Sequence, residues 1–265
     1  MSGYLYLLFT LVSFLASGVG AICGIGGGVI IKPVLDSFGV LSVSTISFFS
    51  GLTVLSMSLY SMLMNKKSGE SLVDAKSCTP LALGAAIGGV VGKYMFHSIS
   101  AMFTDKEMVG AVQAACLLVI TLATLVYTLK KDQIKTREIS SRAVCIIIGL
   151  VLGILSSFLG IGGGPINLVV LSYFFSMDTK TAAQNSLFII LFSQITSLAS
   201  TLVTKTVPAF SVVLLVLMVI AGVLGGVSGR VINKKIDIKA VDKLFVALMV
   251  IIIGINTYNI YHFMN

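Results

Sequence analysis

Two runs of glycine carry the most chemical information in this sequence. Gly24-Ile25-Gly26-Gly27-Gly28 recurs as Gly160-Ile161-Gly162-Gly163-Gly164, each inside an otherwise apolar stretch. Consecutive glycines cost a helix about 1 kcal/mol each relative to alanine, so such runs end helices. They also permit left-handed backbone, which is expected in both runs, and let another group come close. The segment after each run starts a new helix, whose first N–H groups have no intrahelical partner. Pro165 suits the first position of the second such helix, where no N–H is required. A glycine turn feeding a helix N-terminus offers several donors and a favourable dipole to an anion. The backbones of Gly26, Gly27, Gly28, Gly162, Gly163 and Gly164 are therefore candidate anion-binding groups. Close helix packing is the competing use of glycine, and it is the preferred reading for the clusters at 84–92 and 222–229.

Side chains near the runs extend the candidate site. Lys32 lies four residues past the first run in an arm that is otherwise apolar. A cation at membrane depth would pair with an anionic substrate, unless its stem snorkels to an interface. Its counterpart in the second copy is Leu168, and neighbouring Asn167 offers an uncharged donor. A polar stretch follows each run: Ser44, Thr45, Ser47 and Ser50 in the first half, and Thr181, Gln184, Asn185 and Ser186 in the second. Helical spacing puts Ser47 with Ser50, and Thr181 with Gln184 and Asn185, on shared faces. Ser47, Ser50, Gln184, Asn185 and Ser186 are candidate substrate contacts, and gluing helices together is the alternative.

No catalytic apparatus accompanies these residues, and the expectation is a protein that is not an enzyme. His97 and His262 have no clustered carboxylate or cysteine, and HExxH, P-loop and GxSxG patterns are absent. Cys23, Cys78, Cys116 and Cys145 form no CxxC pair, so no metal site, cofactor or disulfide frame is expected.

The elements that must position these groups follow from composition. Of the 265 residues, 57% are hydrophobic and 11% charged. A soluble domain carries about 25% charged residues. Apolar runs of roughly 20 residues recur along the chain, the length that crosses a bilayer as a helix. The net charge of +8 sits in loops between these runs, which membrane topology explains without nucleic acid. The chain reads as an all-α polytopic membrane protein whose partners are the lipid bilayer and a small anion.

An internal duplication organises it. The glycine runs are offset by 136 residues, and Ile30, Val34, Phe38, Thr45, Ser50 and Leu55 meet identical residues at that offset. Gly88, Gly89 and Gly92 meet Gly225, Gly226 and Gly229 one residue further on. Two repeats, 1–129 and 143–265, are joined by a basic linker at 130–142. Each repeat reads as a re-entrant hairpin followed by three spans. The arms are 4–22 with 29–41, and 143–159 with 165–177. The spans are 45–64, 78–97 and 108–129, then 183–203, 209–232 and 241–262. A second arm of about 13 residues is ~20 Å long, short of the ~30 Å hydrocarbon core, so the glycine turn should lie below the membrane surface.

Charge tests this parity. With re-entrant hairpins, all but Lys32, Lys93, Lys106 and Lys205 of the 18 basic residues fall on the linker side. If each hairpin crossed once, the same residues would divide evenly. The positive-inside rule prefers the first arrangement, with two inverted repeats, the linker in the cytoplasm and both termini outside the cytoplasmic membrane.

At these residues the sequence resembles the sulfite exporter TauE/SafE family, also called the toluene sulfonate uptake permease family. Residues 24–33 (GIGGG-VIIKP) match the family's first glycine motif, with Pro33 and Gly39, and residues 160–171 (GIGGGPINLVVL) match the second. The family's usual Thr-Ser position holds Phe49-Ser50 in one half and Gln184-Asn185-Ser186 in the other. The resemblance implies transport of sulfite, sulfonates or related organic anions. The expectation is a secondary transporter working by alternating access around the two glycine turns. The alternatives are an anion channel or, in a different class, a membrane-embedded enzyme or assembly factor. Substrate, direction, coupling ion and oligomeric state stay open.

Overall fold

The computed structural model describes residues 3–69, 71–105 and 107–264. These form ten α-helices and one 3-10 turn, Lys131–Gln133, with no strand among the described residues. The first half contains α1 (Gly3–Cys23), α2 (Gly28–Asp36), α3 (Val43–Lys67), α4 (Ala75–Met102) and α5 (Met108–Lys130). The second contains α6 (Arg142–Leu159), α7 (Pro165–Phe175), α8 (Thr179–Val203), α9 (Val212–Lys235) and α10 (Ile238–Met264).

Local chemistry sets the boundaries in equivalent ways. Ser42 caps α3 by accepting the Thr45 amide at 3.3 Å, and Asp178, at the same repeat position, caps α8 by accepting the Lys180 and Thr181 amides. The short arms are shorter than the sequence suggests. α2 stops at Asp36, where a turn closed by Phe38 N–H to Leu35 O and Gly39 N–H to Asp36 O leads into Gly39 at φ +60°. α7 stops at Phe175, followed by Ser176 in the left-handed conformation.

Helix pairing follows the repeat. α4 packs most extensively along α6, and its counterpart α9 along α1. Both contacts are backbone to backbone. A Cβ on Gly88 would run into the Leu150 carbonyl oxygen, and one on Gly225 into that of Phe14, the residue equivalent to Leu150. The glycine clusters thus serve packing, as small residues do between membrane helices. α5 packs on α10 and α3 on α8, which closes the bundle.

Six helices are long and apolar enough to cross a membrane among the described residues: α1, α3, α5, α6, α8 and α9. This differs from the expected six spans. α1 and α6, expected as hairpin arms, are long enough to cross. α4 and α10 have 28 and 27 residues but fall outside the set. Leu7, Leu11 and Leu15 on α1, and Val213 and Ile220 on α9, face outward and exposed, as a lipid-facing surface requires.

The ends of the bundle are distinct. At one end Phe9 packs on Phe38 with ring centroids 6.0 Å apart, and His262 lies beside Gly39. At the other, Lys131 pairs with Asp242 at 2.5 Å, and the linker amides of Arg137 and Ile139 donate to Tyr173 O and Phe174 O. Asp242 lies near the start of α10 and His262 in its last turn, so the terminal helices' free ends and the linker lie at opposite ends. α1 starts at the first end and α6 at the second.

Candidate functional site

The two glycine turns meet in the middle of the bundle. Gly28, the first residue of α2, lies against the Ile161 carbonyl oxygen of the other turn. Gly26 faces Val54 and Ile190, Gly162 faces Val54, and Gly163 faces Ile190. Val54 and Ile190 are themselves repeat equivalents, near the midpoints of α3 and α8. Among the described residues no acceptor meets the amides of Gly26, Gly27, Gly162 or Gly163.

The turns are not identical. The second has left-handed or extended positive-φ backbone at Gly160, Gly162, Gly163 and Gly164. The first has it at Gly24 and Gly26, whereas Gly27 has φ −67° and caps α2 in ordinary helical geometry. Left-handed backbone thus occurs in both runs but does not extend to Gly27, and proline accounts for the difference. Pro165 pushes the residue before it out of the helical region, so Gly164 is held at φ 136°, ψ −169° and α7 starts at Pro165. The first copy has Val29 there, and α2 begins one residue earlier in register.

Around the turns lie polar side chains that are buried without partners. Asn167 is 1% exposed, and both of its amide atoms lack a hydrogen bond. A Cβ on Gly163 would lie 3.3 Å from Asn167 Nδ2, so this amide adjoins the second turn. Ser17 Oγ, which adjoins Gly27, is buried and unpartnered, and so are Thr53 Oγ1 beside Gly222 and, on α8, Ser186 Oγ. Buried polar groups are nearly always hydrogen-bonded. Groups that are not bonded are suited to a polar ligand or water.

A cavity of about 370 Å³ between α1, α3, α8 and α9 approaches the turns. Lys180, Arg230 and Lys234 line it with the amides of Asn65, Gln184 and Asn233, and no carboxylate is among its lining residues. Its walls include Ala183, against which Gly24 packs. Arg230 donates to Ser68 Oγ at 2.6 Å, and Lys180 Nζ to the Asn233 and Ile236 carbonyls at 2.9 Å, so both head groups are held at fixed positions. Two larger clefts elsewhere carry carboxylates: Asp36, Asp105 and Glu107 in one, and Asp74 and Glu138, offset by Lys76 and Arg142, in the other.

Comparison with known proteins bears on this arrangement. The family model for sulfite exporter TauE/SafE matches residues 9–257, which include both turns and the cavity. The chain belongs to the sulfite exporter TauE/SafE family. A probable membrane transporter protein of Haemophilus influenzae is 31% identical over 168 residues, which span 60% of this chain and 59% of that relative. No solved structure matches.

Other sequence-based candidates in this TauE/SafE chain fall in several places. Lys32 neither snorkels nor stands free: it is 2% exposed and donates to Asp36 Oδ2 at 2.6 Å, one helical turn away. Ser50 Oγ donates to Gly28 O at 3.5 Å and so braces the first turn. Gln184 lines the basic cavity and accepts the Leu72 amide at 2.9 Å. Asn185 is fully buried with its bonding capacity in use, Oδ1 accepting from Asp74 N and Cys78 Sγ, and Nδ2 donating to Leu72 O and Thr181 O. It ties α8 to the α3–α4 connection. Ser47 Oγ is buried and unpartnered beside Gly160 and lines a separate, smaller cavity. Sequence reasoning missed Arg230, Lys180, Asn65 and Asn233. Arg230 follows Gly229 directly, and the matching of Gly229 with Gly92 was the signal that could have drawn attention to it.

Proposed function

We propose that this TauE/SafE protein is a secondary transporter that moves a small anion across the cytoplasmic membrane by alternating access. The observation that carries the reading is the carboxylate-free basic cavity that leads to the first glycine turn. Lys180, Arg230 and Lys234 raise the local concentration of anions in that cavity. The open amides of the turns and the unpartnered Asn167 replace the water that the anion leaves behind. The family's name, sulfite exporter, supports a sulfur-containing anion such as sulfite or a sulfonate.

In this reading residues 1–129 and 143–265 are inverted repeats around the shared turns, with 130–142 as a cytoplasmic linker. The opposite starting ends of α1 and α6 support the inversion. The positive-inside rule sets the Arg230 cavity in the cytoplasm and both termini outside. Val54 and Ile190 pack against the turns from α3 and α8, one from each half, as a carrier that moves its halves around the turns would require.

The test is uptake into proteoliposomes of sulfite, thiosulfate, sulfoacetate, taurine and short carboxylates. The reading expects saturable flux of at least one anion, with counterflow driven by unlabelled anion inside. Flux that rises linearly with concentration and shows no counterflow would make the protein a channel.

A further inference from the structure

The small cavity beside Gly160 is the repeat counterpart of the basic cavity. Ser61 and Asn65 in the large cavity correspond, at the 136-residue offset, to Ser197 and Thr201 in the small one. Ala183 corresponds to Ser47 at the same offset, and Arg230 to Lys93 at the 137-residue offset of the glycine clusters. The two differ in size, about 370 Å³ against about 20 Å³. The larger suits a small organic or inorganic anion, whereas the smaller holds little more than one water.

The small cavity is nevertheless equipped for an anion. Lys93 is 8% exposed and has no carboxylate partner among the described residues; its ammonium sits 5.1 Å from the centre of the Phe96 ring. Ser47 Oγ and Ser157 Oγ, both lining the cavity, are buried without partners. A buried cation without a counter-charge and two buried hydroxyls without partners are costly unless a ligand completes them. The Gly160 turn forms part of the wall, so this cavity adjoins the second turn as the larger one adjoins the first.

We infer that the Lys93 cavity is an anion site on the opposite side of the membrane from Arg230, closed in this conformation and opened when the Arg230 cavity closes. Lys93 and Arg230 are then the paired cations that receive the same anion on the two sides. The inference rests on the transporter reading and adds the residue, the second site and the conformational state.

The test uses accessibility, so it needs no known substrate. Ser61→Cys and Ser197→Cys are made separately in a background with the four native cysteines replaced by serine, and monodispersity is checked. Each is treated in right-side-out and inside-out vesicles with two impermeant methanethiosulfonates, one ending in a sulfonate and one in a trimethylammonium. Ser61→Cys is expected to react in one vesicle orientation and Ser197→Cys in the other. The sulfonate reagent should react faster at Ser197→Cys, and Lys93→Gln should lower the sulfonate-to-ammonium rate ratio on the order of tenfold, as a nearby buried charge would. Lys93→Arg should keep the preference, which separates loss of charge from damaged folding. Reaction of both cysteines from the same side, or none at Ser197→Cys while Ser61→Cys reacts, overturns the counterpart site. An unchanged ratio in Lys93→Gln overturns the role of Lys93. The expected labelling in a protein that passes no anion in proteoliposomes would instead defeat the transporter reading and leave the two cavities standing.

Discussion

Gly28, at the start of α2, sits against the carbonyl oxygen of Ile161, so the two glycine turns are in direct backbone contact across the halves of the molecule. No side chain fits between them. Gly28→Ala should therefore overpack this contact and destabilise the protein by about 1–3 kcal/mol. Gly163→Ala meets Ile190 and adds the strain of a side chain at φ +141°. Thermal unfolding in detergent checks both variants, and unchanged midpoints would contradict a direct contact between the turns.

The ion pair of Lys32 with Asp36 is a second target. Breaking a buried pair leaves one charge uncompensated, typically at a cost of about 3–5 kcal/mol. Lys32→Met and Asp36→Leu should each be strongly destabilising, and the double variant much less so. A double-mutant cycle of unfolding midpoints measures the coupling. If the double variant is stable but binds no anion, Lys32 belongs to the site after all.

Two asparagines should separate stability from function. Asn185→Ala removes hydrogen bonds that hold Leu72, Asp74 and Cys78, and should cost about 1–3 kcal/mol of stability. Asn167→Ala breaks no bond within the protein and should leave the unfolding midpoint near that of wild type. Thermal melts of the pair check this contrast, and equal losses would contradict it.

The ends of the bundle give a topological prediction. Tyr4→Cys and Thr136→Cys, near opposite ends, should react with an impermeant thiol reagent in opposite vesicle orientations. In intact cells only Tyr4→Cys should react, and reaction of Thr136→Cys from outside would refute a cytoplasmic linker.

Much of this architecture is legible in sequence because it is local. The turns announce themselves through contiguous glycine and the arms through their apolar length. What is not legible depends on partners far along the chain. Asn185 and Ser186 look alike as polar residues on one helix, yet Asn185 is fully bonded because residues 72–78 reach it, whereas Ser186 is not. Lys32 reads as a lone cation until Asp36, one turn on, folds inward with it instead of facing an interface. Arg230 and Lys180 read as positive-inside charges, a topological role that hides their place in the cavity wall. The unequal turns follow from a single difference, Pro165 against Val29, whose effect on the preceding glycine needs the backbone angles to be seen.

The account rests on an anion being bound where the turns and Asn167 meet. The most direct measurement is the uptake of sulfur-35-labelled sulfite, thiosulfate, sulfoacetate and taurine into proteoliposomes holding wild type or Asn167→Ala at equal, monodisperse protein. The account predicts saturable uptake of at least one compound by wild type, reduced by roughly tenfold or more in Asn167→Ala, the size expected for losing a buried hydrogen bond to a charged ligand. Equal saturable uptake by the two proteins would contradict it.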